Sequence, residues 1–166
     1  DAHLLQDAQQ VLMRFATDND AMLARFAAAI DAFGNSQGWW NRLLGLDDQQ
    51  GLHLKKEGIF PLVHGVRSLA LAEHLHETGT AARIDALVAR NVITSALGAD
   101  LTQSLHFLMG LKLKAGVTEM ATQREVSGLV NVGKLSTLDR DLLKDALSVV
   151  KHFKGLLRSR FKLDAL

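Results

Sequence analysis

Six basic side chains are the residues of this sequence best suited to binding chemistry. Lysine and arginine hold phosphate and carboxylate groups through charge-assisted hydrogen bonds, and arginine does so in a bidentate fork. Brought to one end or one groove of a fold, they would form a cationic rim for a nucleotide or an acidic partner. The alternative is that they lie on solvated helix faces and pair with nearby acids. The candidate substrate-binding residues are Lys55, Lys56, Arg67, Arg83, Lys112 and Lys144.

Patterns typical of catalysis or metal binding are incomplete in this chain. The segment from Gly128 to Lys134 approaches the phosphate loop G-x-x-x-x-G-K-[ST], but Leu135 replaces the hydroxyl residue that binds magnesium. We interpret that match as coincidence. The seven histidines are dispersed, and one or two of them are expected to be buried and hydrogen-bonded. We therefore predict no catalytic residue, no metal ligand and no cofactor within residues 1–166.

The stretch from Leu54 to Leu75 is predicted to form the central helix that positions several of these cations. After Pro61, apolar residues recur every three or four positions with few polar interruptions, which is typical of a largely buried helix. Proline suits the first turn of a helix, because no hydrogen bond is lost there. We therefore expect the helix to start at residues 58–61, with Lys55 and Lys56 beside its start, and to end near His76.

Apolar periodicity and capping residues predict the other helices. Both tryptophans, Trp39 and Trp40, lie between two of them, and packing is favoured over a stacking platform for a base. The predicted helices are His3–Phe15, a second from Asp18 or Asp20 to Gly34, a short one capped by Thr80, a long one over Ala99–Ala121, and a last one from a Ser136 cap to Phe161.

Composition limits the class of protein. The chain has 166 residues, 48% of them hydrophobic, one proline, no cysteine and a net charge of +1. We predict a single domain over residues 1–166 and an all-α fold, an antiparallel bundle of four or five main helices with shorter additions. The absence of cysteine fits a cytoplasmic protein, and neither a membrane nor a nucleic-acid partner is expected. Because the first residue is not methionine, we expect a C-terminal fragment of a longer protein.

The central stretch LKKEGIFPLVHGVRSLALAEHL, residues 54–75, resembles the signature of the putative nucleotidyltransferase substrate-binding domain family. Residues 135–147, LSTLDRDLLKDAL, are similar to the closing helix of that family, and residues 80–87 and 101–113 match more weakly. The chain departs from the family at residues 112–116, KLKAG, where the family often has Arg-Leu-Arg-His-Gln. The resemblance extends from about residue 23 to residue 161.

The resemblance implies a helical domain that follows a nucleotidyltransferase domain in bacterial signal-transduction proteins, often behind cyclic-nucleotide-binding or CBS modules. A transferase site needs a Gly-Ser turn and two carboxylates that hold a divalent metal, and this chain has no Gly-Ser dipeptide. The metal and the catalytic carboxylates would then belong to the upstream domain. Asp18, Asp20, Asp139 and Asp141 are interpreted as helix caps instead.

Two functions remain open at this point. The first is a non-catalytic domain that binds or positions a nucleotide or protein substrate beside the nucleotidyltransferase domain of the same chain. The second is a homodimerisation or protein-interaction module that relays signals from upstream sensor domains, which an exposed apolar stripe on the first or last helix would favour. An independent enzyme is the least favoured, and whether the full-length protein is an active nucleotidyltransferase stays open.

Overall fold

A computed structural model of the chain describes residues 2–17, 20–32 and 51–165. Across these ranges the structure has six α-helices, no strand and a single isolated β-bridge, so the prediction of an all-α fold is confirmed. Trp39, Trp40 and Gly34 lie outside the described residues. The helices are α1 (Ala2–Thr17), α2 (Asp20–Ala28), α3 (Phe60–Ala72), α4 (Thr80–Ala89), α5 (Ser95–Ala121) and α6 (Thr137–Phe161).

The central helix α3 is preceded by a π turn at Lys55–Ile59, so the chain is helical from Leu54 onward. The N–H of Phe60 donates to the carbonyl of Lys55, five residues earlier, and not four. A proline ring collides with the carbonyl four residues before it, and a wider turn relieves that collision at Pro61. The predicted start at residues 58–61 is confirmed for the α-helix, which begins at Phe60 with Pro61 in its first turn. The π turn before it was not predicted, and the helix ends at Ala72 and not near His76.

Helices α3, α5 and α6 enclose the core. The π turn packs against both α5 and α6, and α3 packs along α6. Leu62, Leu108 and Leu143, one from each of the three helices, are wholly buried. Contacts between α3 and α6 involve residues 58 and 147 at one end and residues 65 and 153 further on, so these two helices run in the same direction. The antiparallel arrangement of the whole bundle stays a prediction.

Gly65 is where α3 and α6 approach most closely. A Cβ added there would lie 2.7 Å from Phe153 Cε1 and even closer to Leu157 Cδ1. At Gly58, in the π turn, an added Cβ would meet Leu108 Cδ1 at 2.8 Å. Neither distance leaves space for a methyl group, so the absence of a side chain lets these helices pack.

Replacing Gly65 by alanine is expected to destabilise the domain by about 1–3 kcal/mol, because the new methyl group must displace Leu157 and Phe153. Gly110 in α5 is the matched control, since an added Cβ meets nothing within 4 Å there. Alanine at Gly110 should instead stabilise by up to ~1 kcal/mol through helix propensity. Urea unfolding of both variants measures the difference, and equal effects would contradict the close packing of α3 on α6.

Helix starts were predicted with mixed success. Ser136 caps α6 as predicted, since its hydroxyl accepts the N–H of Asp139 at 3.0 Å. Thr80 does not cap α4: the cap position belongs to Gly79, which has no side chain to offer, so that prediction is wrong. The long helix α5 begins at Ser95, capped by Thr94, four residues before the predicted start at Ala99.

An ion pair fixes the 3-10 turn Ala29–Asp31 to α6. The carboxylate of Asp31 lies 2.8 Å from Lys154 Nζ through one oxygen and 2.8 Å from Arg158 Nη2 through the other. Burial by itself raises the pKa of Asp31, but the hydrogen bonds and charges of Lys154 and Arg158 outweigh that effect. The pKa of this carboxyl therefore lies below its ordinary value.

Because the pKa of Asp31 is lower in the folded state, the contribution of its ion pairs to the free energy of unfolding depends on pH. It is present above the pKa of the unfolded carboxyl, about 3.9, and is lost as pH falls through the lower pKa of the folded state. Asp31→Asn should therefore cost about 1 kcal/mol at pH 7, and progressively less below about pH 4. Asp164→Asn is the control, because its pair with the same Arg158 is largely exposed. A cost for Asp31→Asn that stays constant down to pH 2 in urea unfolding would contradict the pairing.

Candidate functional site

The six predicted cations lie on four helical segments. Lys55 and Lys56 are exposed in the π turn, and Arg67 is exposed on α3. Arg83 is half-buried on α4, Lys112 is half-buried on α5 and Lys144 is exposed on α6. The structure brings Arg67 and Arg83 together, whereas the others are related only through the packing of the π turn against α5 and α6.

Arg67 lies near enough to Arg83 for its charge to act on that residue. Burial lowers the pKa of Arg83, and the positive charge of Arg67 lowers it further, while Glu77 raises it. Arg83 is held in place by its Nε, which donates to the carbonyl of Glu77 at 2.7 Å. Two guanidinium groups so close together repel each other, so an anion between them would relieve the repulsion.

One side of the central helix connects this pair with the π turn. Lys56 and Arg67 are eleven residues apart, about three helical turns or roughly 16 Å along the axis. Both are exposed, and the half-buried Phe60 and Val63 lie between them along the segment. We call Lys56, Phe60, Val63 and Arg67 the α3 edge: it has a cation at each end and an apolar middle.

The cations of the α3 edge and the adjacent Lys55 have no acidic partner in the part of the chain that the structure describes: neither Lys55, Lys56 nor Arg67 forms an ion pair there. Asp139 pairs with Lys114 at 3.1 Å. Unpaired cations at the surface retain their full capacity for an anionic ligand.

A cavity of about 790 Å³ lies between the second half of α5, the connection after it and the start of α6. None of the six predicted residues lines it. Its basic residues are Lys114, Arg124 and Lys134. Residue types alone could not show this site, since Arg124 and Lys134 approach α5 only because the chain turns back after it. Leu52 and Val130 exchange two backbone hydrogen bonds, of 2.8 and 2.9 Å, at the edge of the cavity and fix that connection.

Residues 128–134 resemble the phosphate-loop motif in sequence, but they do not adopt the conformation of a phosphate loop. Gly128 has a φ of +70°, Val130 forms the isolated bridge, and residues Val132–Lys134 form a 3-10 turn. A phosphate loop follows a strand and opens a helix with a run of free amides. Lys134 nevertheless contributes a charge to the cavity.

His64 is the buried, hydrogen-bonded histidine that the sequence led us to expect. Its Nε2 donates to the carbonyl of Phe26 at 2.7 Å, and its ring stacks on Phe60 with centroids 5.2 Å apart. It therefore ties α2 to the central helix. In the part of the chain that the structure describes, no group of three histidine, aspartate or glutamate side chains is arranged to hold a metal ion. The same ranges contain no helix long and apolar enough to cross a membrane.

Comparison with known proteins finds one family. A family model described as "putative nucleotidyltransferase substrate binding domain" matches residues 20–161, which include α2 to α6 and leave α1 outside. No curated protein and no solved structure matches this chain.

Proposed function

The chain belongs to the putative nucleotidyltransferase substrate binding domain family, and we propose that it is the non-catalytic part of a nucleotidyltransferase, where it binds and positions the substrate. The observation that carries this proposal is the family match across residues 20–161. The all-α architecture supports it, because a rigid helical scaffold can hold a substrate at a fixed place beside a separate catalytic domain.

The α3 edge and the neighbouring Arg83 supply the contacts in this proposal. A substrate that carries phosphate or carboxylate groups would bind at Lys55 and Lys56 at one end and at Arg67 and Arg83 at the other. The side chains of Phe60 and Val63 would contact its less polar part. Lys112 and Lys144 are secondary candidates, because they lie on the helices against which the π turn packs.

The proposed partner is the nucleotidyltransferase domain of the same protein, as the family description implies. That domain would supply the catalytic carboxylates and the divalent metal, which bridges the triphosphate and stabilises the charge that develops at phosphorus. The substrate would be a nucleotide or a protein, and we place the protein in the cytoplasm, in signal transduction.

The experiment that tests this proposal removes the charges beside the start of the central helix. Lys55 and Lys56 are both changed to alanine in the protein that carries the catalytic domain. We expect thermal unfolding to be unchanged and nucleotidyl transfer to be lost. Unchanged transfer would contradict the proposal.

An exposed apolar stripe favours a second function, self-association. Met109, Leu113, Val117 and Met120 recur along one side of α5 and are each more than half exposed, and Leu138 and Leu142 of α6 are also exposed. The Lys114–Asp139 pair places these parts of the two helices side by side. Contiguous apolar surface of this kind is typical of a protein interface, and a two-fold dimer would bury it against a second copy.

Light scattering on the 166-residue chain separates the two functions. The dimer interpretation predicts twice the monomer mass, and it predicts a monomer when Leu113 and Val117 are both replaced by lysine. A strict monomer at high concentration would rule out the dimer and leave the substrate-binding function untouched.

A further inference from the structure

The cavity beside α5 has the size of a small-molecule site. Its volume of about 790 Å³ falls within the range of roughly 300–1,000 Å³ that is typical of ligand pockets. One wall is the second half of α5, the opposite wall is the connection between α5 and α6, and the floor includes the start of α6. Because the Leu52–Val130 bridge fixes the connection, this space is bounded on several sides.

The cavity has a small excess of positive charge, because three basic and two acidic residues line it. Glu119 keeps its charge, and its two oxygens accept hydrogen bonds from the backbone N–H and the hydroxyl of Ser127, at 3.1 and 2.5 Å. Asp139 is paired with Lys114. Arg124 and Lys134 have no ion-pair partner among residues 51–165, and both line the cavity.

The rest of the lining is mixed, with apolar residues that would accept an uncharged ring beside several hydroxyl and amide groups. A ligand that suits both parts has an anionic end and a flat, weakly polar end. The apolar residues of the lining are Leu111 and Ala115 from α5 and Leu129, Val130 and Leu135 from the connection after it.

We infer that this cavity is a nucleotide site, in which Arg124 and Lys134 hold the phosphates and the apolar residues of the lining hold the base. Lys114 contributes a third cation while it keeps its bond to Asp139. The inference rests on the proposed function in one respect: a nucleotide is the substrate class that a nucleotidyltransferase handles. It differs from that function in location, because none of the α3 edge residues lines the cavity.

Calorimetric titration of the 166-residue chain with ATP tests the inference. Replacing Arg124 and Lys134 together by alanine should weaken ATP binding by about tenfold or more, since two charge-assisted contacts are lost. The control variant, Arg25→Ala with Arg140→Ala, removes the same charge from exposed residues outside the cavity and should bind ATP normally. Arg124→Lys with Lys134→Arg should retain most of the affinity. Thermal unfolding of each variant confirms that it is folded.

Two smaller ligands test the phosphate-binding part and the base-binding part of the cavity separately. Tripolyphosphate and adenosine should each bind more weakly than ATP, because each occupies only one part of the cavity. The inference is overturned if the unaltered chain does not bind ATP at millimolar concentration, if the Arg124/Lys134 variant binds as well as the unaltered chain, or if tripolyphosphate binds as tightly as ATP.

Activity of the protein that carries the catalytic domain distinguishes this inference from the proposed function. If the Lys55/Lys56 variant loses transfer while the Arg124/Lys134 variant keeps both ATP binding and transfer, the cavity inference fails and the proposed function stands. If ATP binding to the cavity is lost as predicted but transfer does not depend on this domain at all, the nucleotide site stands and the proposed function fails.

Discussion

Replacing Phe153 by alanine is expected to lower the free energy of unfolding by about 3–5 kcal/mol. Phe153 is wholly buried, and it is among the largest of the fully buried side chains. Its ring fills the space that Gly65 leaves between α3 and α6, so its removal opens a cavity where the two helices pack most closely. Small domains are stable by only about 5–15 kcal/mol in total, so the variant should lose a large fraction of its stability.

Phe161 in the last turn of α6 is the matched control for that prediction. It is the same residue type in the same helix, but it is only half-buried. Its replacement by alanine should therefore cost clearly less, because less apolar surface returns to water and the site can relax. Urea unfolding followed by circular dichroism measures both variants. A cost below about 1 kcal/mol for Phe153→Ala would contradict the packing of α6 on the central helix, since core deletions of this size cost several times more.

The double change Lys55→Ala and Lys56→Ala should abolish most of the nucleotidyl transfer by the protein that carries the catalytic domain. Two charge-assisted contacts, each of about 1.5–3 kcal/mol, correspond to a loss of about a hundredfold or more in kcat/KM. Both side chains are exposed, so the melting temperature should not change. If the cations only bind the substrate, KM rises at constant kcat; if they also orient the reacting group, kcat falls as well.

The double variant Arg25→Ala with Arg140→Ala is again the control, because it removes the same total charge. Both arginines are exposed, on α2 and α6, and neither is among the proposed contacts, so the control removes two positive charges but none of these contacts. An equal loss of transfer in the control would mean that overall charge, and not the position of Lys55 and Lys56, determines activity. Retained transfer in the Lys55/Lys56 variant would argue against the α3 edge.

Apolar periodicity was sufficient to predict the fold class and the main helices. Phe153 of α6 and Leu101, Leu105 and Leu108 of α5, which recur at helical spacing, are buried, whereas Leu138 and Leu142 of the α6 pattern are exposed. Periodicity could not predict how the central helix begins, because a π turn and an α turn carry the same residue types. The π turn avoids a collision between the ring of Pro61 and the carbonyl four residues before it, and periodicity does not show how the backbone does so.

The candidate site was predictable only in part, for a related reason. The residues of the α3 edge lie on one helix, where sequence spacing determines which of them share a side. The pairing of Arg67 with Arg83 depends on how α4 returns along α3. The cavity around Arg124 and Lys134 depends on a connection whose path is set by the backbone bonds between Leu52 and Val130. When a residue reaches a site only because distant parts of the chain fold together, the sequence around it does not indicate the site.

Transfer activity measured with and without this domain tests the central claim most directly. Three samples are compared under the same substrate and metal concentrations: the 166-residue chain alone, the protein that carries the catalytic domain, and that protein lacking residues 20–161. The account predicts no transfer by the chain alone, transfer by the complete protein, and loss of transfer to the substrate when residues 20–161 are removed. Transfer by the chain alone, or undiminished transfer without it, would contradict the account.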